Sequence, residues 1–184
     1  MGRVLAKRAL ICHPASTCLP VTGCGAQVSM VGPCTLVVAY GVTGDIAALK
    51  IPALTTPNRR DNLWQETCFE LFVALDNGGY AEYNFAPSSC WAAYRFEGYR
   101  SAMREVAGVA PIMEVSATEH RLSVTVQLDL TTLVPDLDRR VGLSAVIEQE
   151  DGSKSWWALQ HPSEKPDFHH RDCFALQLGA ARET

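Results

Sequence analysis

The fold class this sequence predicts is all-β: an antiparallel two-sheet β-sandwich of the jelly-roll type with at most short helical turns. Three observations predict it. Apolar and polar residues alternate with period two in several segments, turn signals recur between those segments, and no long stretch shows helical periodicity. The clearest case is residues 121–128, where Leu122, Val124, Val126 and Leu128 alternate with Arg121, Ser123, Thr125 and Gln127. One face is buried and the other wet, as in an antiparallel sheet.

The remaining elements follow along the chain. Leu36 to Val42 is a β-branched run, and residues 46–51 are expected to return beside it as a strand. Residues 52–66 form the longest weakly patterned stretch, and a long loop in a compact domain is often functional. Residues 68–75 read as a strand, closed by the turn Asp76-Asn77-Gly78-Gly79. Strands are predicted over 80–85 and 90–96, separated by Pro87-Ser88-Ser89, and a two-turn helix over 100–106. Residues 112–119 alternate Met113, Val115 and Ala117 against Glu114, Ser116 and Thr118, and a turn at Glu119-His120 joins them to 121–128 as a hairpin. Asp129 is placed to cap a short turn through Leu133. Residues 141–149 and 155–159 flank Glu150-Asp151-Gly152, and 173–178 close the pattern. About ten short strands at this spacing suit a sandwich. A length of 184 residues is expected to make one domain, 1–184.

Composition narrows the function classes. A net charge of −4 gives no concentrated basic face for phosphates, so nucleic acid is not an expected partner. No apolar run is long enough to span a bilayer, so neither is a membrane. Residues 4–12 are too short and too charged for a secretory signal, which favours a cytoplasmic location. The seven cysteines (12, 18, 24, 34, 68, 90 and 173) include no C-x-x-C pair, although four of them crowd into residues 12–34 and leave room for one disulfide. No nucleophile elbow, P-loop or dinucleotide fingerprint occurs, and Gly23-Cys24-Gly25 stands alone. No catalytic residue is assigned on that basis, and binding is expected rather than catalysis.

Three segments carry polar groups among aromatics. In residues 68–75, Phe69, Leu71, Val73 and Leu75 share one phase, which leaves Glu70 on the opposite face with Cys68, Phe72 and Ala74. A carboxylate so placed must find a partner or raise its pKa. Glu66 and Glu70 lie about 13 Å apart on an extended strand, too far for a glycosidase pair. In residues 80–100, Trp91, Arg95 and Glu97 share a phase opposite Tyr94 and Phe96, a mixture suited to stacking on sugar rings while polar groups bond hydroxyls. In residues 155–178, one of Trp156 and Trp157 should be core and the other outward. His161, His169 and His170 match no metal spacing; they read as a loop tied by His–Asp hydrogen bonds, and no metal is expected.

Together, LWQETCFELFVA, YAEYNFAPSSCWAAYRFEGYR and WALQHPSEKPDFHH resemble the DOMON-like group related to family-9 carbohydrate-binding modules, over roughly residues 60–178. The resemblance implies a β-sandwich with a ligand slot, which holds sugar between aromatics or haem through Met and His. Sugar, or another small molecule, is therefore the expected ligand, with no cofactor. Trp64, Trp91 and Tyr99 are the expected stacking surfaces, Glu66, Arg95 and His161 the polar contacts, and Glu70, Asn84, Asp167 and His169 support them from behind. This requires Trp64, Trp91, Arg95 and His161 to converge on one cavity. The alternatives are haem held by Met30, Met103 or Met113 with His161, His169 or His170, a hydrolase or isomerase built on His161, Asp167 and His169, and a protein-interaction domain using strand edges. Oligomeric state is left open.

Overall fold

The computed structural model describes residues 2–108 and 110–179. Twelve antiparallel strands make up nearly all of its regular structure: β1 (Arg3–Cys12), β2 (Val21–Gly32), β3 (Thr35–Gly44), β4 (Cys68–Ala74), β5 (Tyr80–Phe85), β6 (Trp91–Phe96), β7 (Arg104–Glu105), β8 (Ile112–Ala117), β9 (Arg121–Asp129), β10 (Arg139–Glu148), β11 (Lys154–Ala158) and β12 (Leu176–Leu178). Helical structure among the described residues is confined to three single 3-10 turns at Ile46–Ala48, Leu63–Gln65 and Arg171–Cys173. No helix among the described residues is long and apolar enough to cross a membrane.

The strands form one hydrogen-bonded path, β7-β6-β5-β4-β10-β11-β1-β2-β3-β9-β8, with β12 paired to the start of β10. The hinge of this path is β1. Its residues 3–10 pair with β2, whereas Ile11 and Cys12 pair with Ala158 and Trp157 of β11. The path thus has two arms, joined through β1 into one curled antiparallel sheet. The arms bury one shared core: Leu36, Val38 and Tyr40 from the first arm join Leu71, Tyr83 and Leu143 from the second. The Tyr40 hydroxyl reaches across that core and donates to the Glu70 carbonyl at 2.7 Å.

The first arm alternates buried and exposed residues, as its period-two pattern predicts, with β9 the cleanest case. The second arm differs, because β4 and β5 are buried on both faces. Their inner residues enter the shared core. Their outer residues, with Cys68, Phe72 and Tyr80 among them, form a second apolar cluster with Tyr94, Phe96, Phe168 and Phe174. Phe168 and Phe174 come from the segment between β11 and β12, which covers that outer face.

Two expected elements are replaced. Residues 46–51 do not return as a strand: Ile46–Ala48 make a 3-10 turn, and Leu49 bridges to Gln149 instead. The helix expected over 100–106 is absent, because Arg100 and Ala102 adopt positive φ (50° and 49°), incompatible with a right-handed helix, and Arg104–Glu105 pair with β6. The seven cysteines are all free thiols.

Candidate functional site

A cleft of about 940 Å³ opens on the outer face of the second arm. Antiparallel register sets its floor. Ser144, Glu70 and Asn84 lie in one row across β10, β4 and β5, and Phe72, Glu82 and Tyr94 in the next row across β4, β5 and β6. Glu70 and Glu82 are therefore diagonal neighbours on one face. Both are buried, at 3% and 5% exposure. Ser144 donates to Oε2 of Glu70 at 2.9 Å, and Asn84 donates to Oε1 of Glu82 at 2.7 Å.

The walls come from loops and from β11. Asn62, at φ 62°, turns the chain through the left-handed region and buries Leu63 in the outer cluster, which leaves Trp64 projecting at the cleft, half exposed. Trp156 faces the cleft from β11, while Trp157, its neighbour in sequence, enters the shared core. Arg100 and Met103 contribute from the loop after β6, and Phe168 and His169 from the loop after β11. These two loops are latched together by Asp167, which accepts from the Tyr99 hydroxyl at 2.7 Å and from Arg100 at 3.0 Å.

Burial sets the electrostatics. Desolvation, reinforced by the charge of Glu82, pushes the Glu70 carboxyl up to about 8. Desolvation raises Glu82 as well, against the hydrogen bond from Asn84. His169 is pushed down to about 4 by burial and by the Arg100 charge. Its ring is thus neutral near pH 7, with Nδ1 2.7 Å from the Tyr80 hydroxyl and Nε2 3.7 Å from Glu82. Burial raises Asp167 too, but the Tyr99 and Arg100 hydrogen bonds outweigh it and leave that carboxyl below its ordinary value.

The residues expected to bind scatter. Trp64 lines the cleft. Trp91 and Arg95 lie in the opposite phase of β6 from Tyr94 and Phe96, and Trp91 packs against the shared core. His161 donates from Nε2 to the Ile11 carbonyl at 2.8 Å and packs edge-on against His13, away from the floor. The required convergence of Trp64, Trp91, Arg95 and His161 therefore fails. Glu66 is paired with Arg60 at 2.8 Å on the surface, and Tyr99 serves the rim latch. Conversely, Glu70 and His169, expected to stand behind the site, line it directly, and Asn84 stands behind Glu82. Of the three residues of the hydrolase alternative, Asp167 and His169 are neighbours, the His169 backbone N–H donating to Oδ1 of Asp167 at 3.2 Å, while His161 is bonded to the Ile11 carbonyl. Among the described residues no group of three or more His, Cys, Asp and Glu side chains is disposed to hold a metal ion.

Glu82, Tyr94 and Trp156 line the cleft in addition to the expected residues. The signals were present in the sequence: the single charged residue of the strand YAEYNF, and a tandem tryptophan of which one must face outward. A second depression of about 950 Å³, at Leu19, Pro20, Thr43, Asp45 and Gln149, is more open and has no aromatic ring other than His120.

No family model and no curated protein matches the sequence. Among solved structures, the chain is similar to a candidate carbohydrate-binding protein from Bacteroides uniformis, with a TM-score of 0.61 and 10% identity over 90% of this chain and 82% of that one. It is also similar to a family-9 carbohydrate-binding module from Caldicellulosiruptor kristjanssonii. The complex of that module with cellotriose gives a TM-score of 0.49 and 13% identity over 84% and 72% of the two chains; its complex with glucose gives 0.45 and 12% over 86% and 73%. At these identities the first likeness shows a shared fold.

Proposed function

We propose that this chain is a non-catalytic carbohydrate-binding domain whose ligand lies in the cleft between Trp64, Trp156 and the Glu70–Glu82 floor. The reading takes the two arms as the layers of a DOMON-like β-sandwich comprising residues 1–184, and the five buried thiols support a reducing, cytoplasmic setting. The observation that carries the reading is the pairing of two indole surfaces with a polar floor in one cleft. Sugar rings present apolar C–H faces that stack on such surfaces and hydroxyls that bond carboxylates and guanidinium groups.

A haem reading has less support. Met103 and His169 both line the cleft, but Met30 and Met113 lie on β2 and β8 of the other arm. The His169 Nδ1 is engaged by Tyr80, and the floor is carboxylate where a macrocycle face wants apolar surface. These residues do not fit the group.

Titration with a panel of mono- and oligosaccharides, followed by tryptophan fluorescence, tests the proposal. Trp64→Ala and Trp156→Ala are each expected to weaken binding about tenfold, consistent with loss of an aromatic contact worth about 1–1.5 kcal/mol. Silence of the wild-type protein across the whole panel would sink it.

A further inference from the structure

Resting on the carbohydrate reading, we infer that the cleft selects an ammonium-bearing sugar, a hexosamine with a free amine, over the corresponding neutral sugar. The inference comes from how charge is distributed around the floor. Glu70 and Glu82 are both nearly inaccessible and adjacent, yet neither has a cationic side chain of its own. Among the described residues, Oε1 of Glu70 and Oε2 of Glu82 accept no hydrogen bond, and the other oxygen of each is met by a neutral donor, Ser144 or Asn84. Every cation at the cleft is engaged elsewhere: Arg100 with Asp167 at 3.0 Å, and Arg104 with Glu97. Asp61 and Glu105, the other lining carboxylates, are both paired with Arg59, at 2.9 and 3.1 Å. Among the described residues, Glu70 and Glu82 are thus the lining carboxylates without an arginine or lysine at ion-pair distance; His169 Nε2, 3.7 Å from Oε2 of Glu82, is neutral near pH 7.

Two buried carboxylates on neighbouring positions cannot both ionise without cost, so the free protein keeps Glu70 protonated near neutral pH. The groups facing the pair are Cys68 on β4, Asn84 on β5, Tyr94 on β6 and Ser144 on β10, with Arg100 and His169 from the loops. Of these Arg100 is charged near neutral pH; it is paired with Asp167, and its charge lowers both floor carboxyls without outweighing their burial. A ligand ammonium would replace that proton, form charge-assisted hydrogen bonds to the free oxygens, and lie among aromatic rings that favour a cation. A hydroxyl in the same place would bond one oxygen and leave the charge unmet. Arg100 and the two indole N–H groups are donors, which suit the hydroxyl oxygens of a sugar ring and have no use for a simple polyamine.

Displacement of the proton gives a readout that mere fit would not. Calorimetric titration of the full chain at about pH 6.5, where such an amine is still charged, in two buffers of different ionisation enthalpy, measures affinity and protons released. D-glucosamine is expected to bind about ten- to a hundredfold tighter than D-glucose, the range of one charge-assisted bond. It should release up to about one proton, whereas D-glucose releases none and N-acetyl-D-glucosamine behaves like D-glucose. Glu70→Gln and Glu82→Gln should each collapse the ratio between amine and neutral sugar. Should either variant fail to fold, the wild-type proton count still decides. D-glucose binding as tightly as D-glucosamine, with no proton released, overturns the inference and leaves the carbohydrate reading standing. No response to any sugar overturns both, and binding of choline without any sugar overturns the sugar-ring part of the inference.

Discussion

At the scale of single residues, Glu70 has consequences beyond ligand choice. The unfolded chain releases this proton in the ordinary carboxylate range, while the native state holds it up to about 8. The contribution of this group to stability is therefore complete below the ordinary range and is lost as pH rises through the native value. Thermal unfolding followed from pH 5 to 8.5 should show stability falling with pH, by at most about 1.4 kcal/mol per pH unit for one proton. Glu70→Gln, which keeps the shape and removes the ionisation, should flatten that decline; a wild-type profile already flat over this interval would refute the assignment. The residue's unusual setting was legible in the sequence, because Cys68, Glu70 and Phe72 share a phase within CFELFVA. That Glu82 is its neighbour was not, since nothing in one strand reports which residue of the next lies diagonal to it.

Among the elements, the strands whose two faces differ were the readable ones. β8 and β9 alternate visibly because one of their faces meets water, and their hairpin lies where the pattern places it. β4, β5 and β6 are different, because the segment after β11 covers their outer face and buries both phases. Period two sorts their residues into two sets without saying which set faces the cleft. This is why the sequence points to Trp91 and Arg95 rather than to Tyr94: a tryptophan and an arginine in one phase look like a binding face, yet that phase meets the shared core. The arms themselves are joined by the Tyr40 hydroxyl on β3, bonded to the β4 backbone in the fully buried interior. Tyr40→Phe removes the donor, keeps the ring, and leaves the Glu70 carbonyl short of this partner. A loss of about 1 kcal/mol, seen as a fall of about 2–4 °C in melting temperature, is expected. No measurable change would show that the bond contributes nothing net between the arms.

For the molecule as a whole, the all-β class followed from alternation and turns, but the connection between the arms did not. β1 reads in sequence as a charged, irregular stretch, RVLAKRALIC, with no clean alternation to mark it as the strand that pairs on both sides. That double pairing bears on how quickly the structure can assemble. Ile11 must meet Ala158 across most of the chain, whereas β1 and β2, β4 and β5, and β8 and β9 meet as neighbours in sequence. Chain-closure entropy makes such distant encounters slow, and a topology dominated by them folds orders of magnitude more slowly than one built from local contacts. The local hairpins should therefore form first, with the closing of β1 onto β11 following the transition state. Stopped-flow refolding should show Cys12→Ala, which trims the side chain that packs on the shared core opposite Trp157, speeding unfolding while barely slowing folding, since a contact made after the transition state affects only the return path. A folding rate that falls in step with stability would instead put that closure among the earliest events. During synthesis, the same geometry obliges the first strand to wait, half paired, until residues 154–158 have left the ribosome.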